Sequence, residues 1–156
     1  MRGWNRGRLF GAALFLALPA GADTLEVRLA SGHLLAAWPM ANGQEACLTW
    51  AHSVTGGKVV DCFVNDAGRL VLARSFLHDF AAGLGEVAGR GHLRAAEGGG
   101  YWIEAIDEAM PGNRLALRIG AHAVDHRLRI GTDGLALSQI APGAAAALIL
   151  TTPKNR

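Results

Sequence analysis

Cysteine is scarce in this 156-residue chain, with two residues, and tyrosine occurs once. Two thiols are too few for a four-thiolate metal site. Charged residues make up only 18% against 51% hydrophobic, so charge repulsion does not keep the chain open and a core can form. Beyond the first two dozen residues no run approaches the ~20 apolar residues that span a bilayer. No repeat, heptad pattern, charge block or linker divides the chain, and this length accommodates one domain. Phosphate-cradling G-x-x-x-x-G-K is absent, which disfavours nucleotide binding. What is plentiful is glycine, 21 residues against 5 prolines, and that favours many turns over long helices.

Residues 1–22 read as a secretion signal. Arg2, Arg6 and Arg8 form a basic start, and Leu9 to Leu18 is apolar throughout apart from Gly11. Pro19 breaks the signal helix, and Ala20-Gly21-Ala22 supplies small residues for a peptidase, with cleavage expected before Asp23. An uncleaved N-terminal anchor is the alternative, although the apolar run is short for a span. No cysteine follows to carry a lipid. The signal holds three arginines and no acid, so its removal leaves twelve basic against thirteen acidic residues. The basic balance of the whole chain therefore belongs to the signal, and nucleic acid is excluded as a partner.

The remainder, residues 23–156, reads as short strands. Leu25, Val27 and Leu29 alternate with Thr24, Glu26 and Arg28, the pattern of a half-buried strand. Further strands are expected over 33–38, 47–54, 59–65, 69–76, 101–106, 114–119 and 125–130, with a short one at 135–137. The run 144–150 after Pro142-Gly143 is expected to be a final strand. Residues 78–100 read as a Gly- and Ala-rich loop with one short pairing in it. Many short strands joined by Gly and Pro turns predict an all-β domain, a sandwich or small barrel of antiparallel strands.

Four groups of residues have chemical potential. If Gly56-Gly57 is a two-residue turn, His52 directly faces Asp61, with side chains ~5 Å apart at Cβ. That pair serves as half of a nucleophilic triad, as a ligand-binding pair with Trp50 beside it, or as a structural pin of the hairpin register. Ser53 points to the opposite face, so it is no nucleophile for His52. His122 and His126 have helical metal-site spacing. The alternation after them predicts extended chain, which separates the rings by ~13 Å, and no H-E-x-x-H pattern is present. Cys47 and Cys62 share a face in the same register but lie four residues apart along the strands, beyond the ~7 Å disulfide limit. A wider loop with a shifted register brings them together, and both geometries stand. Phe80-Ala81-Ala82-Gly83-Leu84-Gly85 lets a backbone approach a ligand or a neighbouring strand, or is simply a loop. Trp38, Trp50 and Trp102 are expected in the core or at its rim, with a stacking platform as the alternative.

Several of these segments, in order, carry a resemblance. They are Trp50-Ala51-His52-Ser53-Val54, Val59-Val60-Asp61-Cys62-Phe63-Val64, Phe80-Ala81-Ala82-Gly83-Leu84, Leu115 to Gly120, and His126-Arg127-Leu128. Over about residues 24–151 the chain resembles the family called domain of unknown function 1850. Members typically have an acidic residue after His-Ser-Val and a Thr-Pro in the turn. Here Thr55-Gly56-Gly57-Lys58 stands instead, so a role for that acid does not carry over. His52, Asp61 and His126 match the pattern. The resemblance implies an exported protein encoded beside the permease and substrate-binding components of TAXI-type tripartite ATP-independent periplasmic (TRAP) transporters. It implies no reaction and no cofactor. The expected role is a periplasmic, non-enzymatic accessory that binds the transport machinery or a small organic ligand. A small hydrolase using His52 with Asp61 is the enzymatic alternative, and a structural envelope protein the third.

Overall fold

A computed structural model describes residues 21–79 and 89–153. The signal reading of residues 1–22 falls almost entirely outside the described residues, and so does Gly83 with its loop. The fold is mainly β and antiparallel, in two facing sheets that do not close into a barrel. The strands are β1 (Thr24–Leu29), β2 (Leu34–Pro39), β3 (Glu45–Ala51), β4 (Lys58–Asp66), β5 (Arg69–Leu77), β6 (His92–Ala95) and β7 (Tyr101–Glu104). They continue with β8 (Glu108–Ala109), β9 (Arg114–Arg118), β10 (Arg127–Ile130), β11 (Asp133–Ala136) and β12 (Ala145–Thr151). One short helix, α1 (Leu137–Ile140), follows β11. Among the described residues no helix is long and apolar enough to cross a membrane.

The first sheet runs β2-β1-β12-β9 and the second β11-β10-β3-β4-β5-β7-β6, with β8 also pairing β5. Period-two alternation decides which side of each strand is buried. Leu25, Val27, Ala146, Leu148 and Leu150 of the first sheet share one core with Ala46, Leu48, Phe63, Leu70, Leu72, Leu128 and Ile130 of the second. Each large side chain removed from water in this way contributes about 1.5–3 kcal/mol before entropy is counted.

Where the chain turns, buried polar groups take over from the ladder. Asn65 is fully buried. Its amide donates to Asp23 Oδ2 at 2.9 Å and to the Met40 carbonyl at 2.7 Å, and its Oδ1 accepts from the Gly68 amide. This one side chain therefore ties the start of β1, the end of β2 and the β4–β5 turn together.

The hairpin of β3 and β4 corrects the expected register. Leu48, not His52, lies opposite Asp61, and Trp50 lies opposite Val59. The turn is not the two-residue Gly56-Gly57 type, which needs a positive φ at both positions. Gly56 has φ +70°, but Gly57 does not adopt a positive φ. Residues 52–57 instead make a wider loop, closed by the His52 amide on the Gly57 carbonyl and the Gly56 amide on the His52 carbonyl, both 2.8 Å. In this register Cys47 and Cys62 are direct cross-strand partners, and they form a disulfide.

Candidate functional site

The candidate residues are spread over three places. His52 caps its own loop: the Val54 and Thr55 amides donate to its Nδ1 at 3.3 Å each. With the register above, Asp61 lies four residues further along the neighbouring strand, roughly 13 Å away. The proposed His52–Asp61 pair is therefore not formed, because the wider loop sets the register.

His126 and Trp50 are brought together, with ring centroids 5.6 Å apart and planes tilted by 44°. His126 Nδ1 accepts the Gly120 amide at 2.8 Å. In the neutral ring the proton is therefore on Nε2. Ser138, fully buried on α1, accepts from the His126 amide at 2.9 Å and donates to the Gly120 carbonyl at 2.8 Å. The result is a fastening of the 120–126 segment onto α1. Burial lowers the His126 pKa, since a charged ring is poorly solvated there. His122 lies in a turn, not in the extended chain expected for it. Among the described residues, the metal-ligating side chains that converge are Glu45, Cys47 and Cys62. Both sulfurs of that group are committed to the disulfide.

Asp61 occupies the third place, and there the chemistry is least ordinary. It follows Val59 and precedes Phe63 on the core-facing side of β4. Ser75 on β5 is its direct cross-strand partner. Ser75 Oγ donates to Asp61 Oδ1 at 2.6 Å. Val59, Leu72, Leu77 and Ile103 complete a small cavity of about 70 Å³, with Arg90 also lining it. Arg90 is held by Glu108, through Nε at 3.0 Å and Nη2 at 2.8 Å to Oε2. Burial is the largest influence on Asp61 and raises its pKa. The Ser75 hydrogen bond and the Arg90 charge pull it down, and Glu108 pushes it up. Ser75, Arg90 and Glu108 are not singled out by the sequence. The available signal is the polar pair Arg74-Ser75 interrupting the apolar residues between Leu70 and Leu77.

On the opposite face of the same sheet the disulfide is flanked by a ladder of cations, acids and rings. Arg74 lies beside Cys62 in the register and makes two bonds to Glu45, at 2.6 and 2.9 Å. Its guanidinium lies 4.6 Å from the Trp102 ring centroid, and Trp102 meets Phe76 at 5.3 Å. Trp102 is thus part of an outward-facing ladder of partly exposed groups.

A sequence profile described as a domain of unknown function (DUF1850) matches residues 47–137, more than half of the chain. The chain belongs to this family. No curated protein and no solved structure matches it. The DUF1850 match begins at Cys47 in β3 and ends at Leu137, where α1 starts. It therefore contains the disulfide, the Asp61 cavity and the Trp50–His126 contact. Strands β1, β2 and β12, which form most of the first sheet, lie outside the matched span.

Proposed function

We propose that this DUF1850 protein is an exported, non-enzymatic accessory that works in the periplasm by binding a component or ligand of a TAXI-type TRAP transporter. The observation that carries the non-enzymatic part is the surroundings of Asp61. Its cavity of about 70 Å³ has the volume of roughly two waters, well short of the ~300 Å³ at which small-molecule sites begin. An acid in such a space has no room for a substrate between itself and Ser75. In both candidate imidazoles, His52 and His126, Nδ1 accepts backbone amides, which leaves Nε2 as the nitrogen that could meet a ligand. Family membership and the signal-like first 22 residues support the transporter and export parts of the reading. The outward ladder of Arg74, Trp102 and Phe76 supports partner binding, because aromatic and arginine side chains are enriched at interfaces.

The test is retention of the cognate permease or substrate-binding protein on the immobilised purified protein. Capture of either, lost on Trp102→Ala, is the expected result. Capture of neither, from detergent-solubilised membranes and from periplasm alike, overturns the transporter reading.

A further inference from the structure

A second cavity is larger than the one at Asp61. It measures about 440 Å³ and lies at the end of the second sheet where β4 turns into β5. Apolar Val64, Val71 and Ala73 line it, together with Gly43 from the β2–β3 turn and Ala105 and Asp107 from the segment between β7 and β8. Its size is that of a small-molecule site.

The strands are irregular where the cavity forms. The β4–β5 register shifts between Cys62 and Phe63, which gives β5 one extra residue at Ala73. Bulges of this kind re-aim side chains and recur beside functional sites. On the other edge of β5, β7 pairs residues 75–77 and β8 pairs 71–72. The gap between them is bridged by the Ile106 amide on the Ala73 carbonyl at 3.0 Å. Ile106 is buried, while its two neighbours are left-handed, with φ +53° at Ala105 and +52° at Asp107. Glycine is the low-strain residue at such positions, and this chain uses it freely elsewhere. Two of the five described non-glycine residues with positive φ line this one cavity. Conformations of this sort persist where the surroundings enforce them, and they gather at ligand sites.

The charge in the cavity has one sign. Its described lining contains no Lys, Arg or His and two carboxylates. Arg69 engages Asp66. Asp107 is exposed and makes no ion pair or hydrogen bond among the described residues.

We propose that this cavity binds a small organic cation, a protonated primary amine with a short apolar body. The ammonium meets Asp107, and the alkyl group covers Val64, Val71 and Ala73. This goes beyond the accessory role proposed above and does not depend on it: the site needs no transporter component, and capture of a permease can fail while amine binding holds.

The experiment is a titration of the ¹⁵N-labelled protein with 3-methylbutylamine, followed by amide shifts. A parallel titration uses 4-methylpentanoate, which carries a similar alkyl group and the opposite charge. Saturable shifts are expected at Gly43, Val71, Ala73 and residues 105–107 with the amine alone. Asp107→Asn is expected to weaken the amine at least fivefold without unfolding the protein, because Asn tolerates left-handed φ. Absence of saturable shifts at these amides overturns the proposal. So does equal binding of the carboxylate, or unchanged amine affinity in Asp107→Asn.

Discussion

Reducing the Cys47–Cys62 disulfide measures how much of the hairpin's stability comes from the crosslink. The two sulfurs join residues 15 apart in sequence. In the chain-entropy account, closing a loop of that length removes about 3 kcal/mol of freedom from the unfolded chain at 25 °C. A domain of about 130 residues, at ~2.1 cal/mol/K of unfolding entropy per residue, gains ~0.27 kcal/mol/K at its midpoint, so loss of the bond lowers Tm by roughly 10 °C. Cys62 is 1% exposed and packed by its neighbours, so a Cys47→Ala/Cys62→Ala variant also loses sulfur packing and falls further, by about 1 kcal/mol in all. The assay is calorimetry of the wild type with and without reductant, beside the double variant, with free-thiol titration to verify reduction. The double variant must be insensitive to reductant. A fall of less than about 3 °C in verified, fully reduced protein refutes the reasoning: the unfolded chain would then already hold this hairpin closed.

Three further outcomes follow from polar groups that are buried or half-buried. Burial raises the Asp61 pKa, so the folded protein holds this proton more tightly than the unfolded chain, and stability falls as pH rises from about 3.8 through the folded value. Asp61→Asn keeps an acceptor for Ser75 and is expected to be more stable than wild type near pH 7, with the difference shrinking toward pH 4; in urea unfolding, a loss at pH 7 shows that Arg90 outweighs burial. His126 has the opposite sign: its lowered pKa makes the unfolded chain the better proton acceptor, so stability falls as pH drops through about 6.5, and His126→Gln is expected to flatten that slope. Asn65→Ala leaves the Met40 carbonyl and the Gly68 amide without their partner and is expected to cost roughly 2–4 kcal/mol, read as a lower urea midpoint at unchanged m.

Much of the fold is legible in the residues because strands advertise themselves twice, by alternation and by the turns that bound them. The strand at 24–29, the run after Asn65-Asp66-Ala67-Gly68 and the last strand after Pro142-Gly143 lie where those signals place them, while the strand expected over 47–54 ends at Ala51, before the wider loop. Boundaries drift where a local signal is silent about the tertiary bond that ends a strand. The strand expected over 101–106 stops at Glu104, since Ala105 turns left-handed to send Ile106 into the core. No turn residue marks that change, and an alanine is a poor advertisement for positive φ. Leu137 belongs to α1 and not to the short strand before it, because Ser138 is fastened to Gly120 and His126.

The candidate site was harder to read, and the β3–β4 hairpin shows why. The register expected from a two-residue Gly-Gly turn differs from the observed one by four residues. An even slip leaves every side chain on its own face. Leu48 and Phe63 still face the core, Cys47 and Cys62 still face outward, and the hydrophobic pattern cannot tell the two registers apart. What changes is the partner of each residue. Asp61 exchanges His52 for Leu48, and Cys47 acquires Cys62. The choice between registers thus falls to groups that alternation does not score: the His52 side chain, which caps its loop by accepting two amides, and the disulfide, which requires direct opposition. The same blindness hides Ser75. Beside Arg74, Ser75 reads as a minor interruption of the strand until the register of β4 on β5 brings it opposite Asp61. Function in a sheet of this kind therefore has to be argued from cross-strand pairs rather than from the faces of single strands. On that basis Asp61 is a half-buried carboxyl paired with a serine, in a small cavity on the core-facing side of β4.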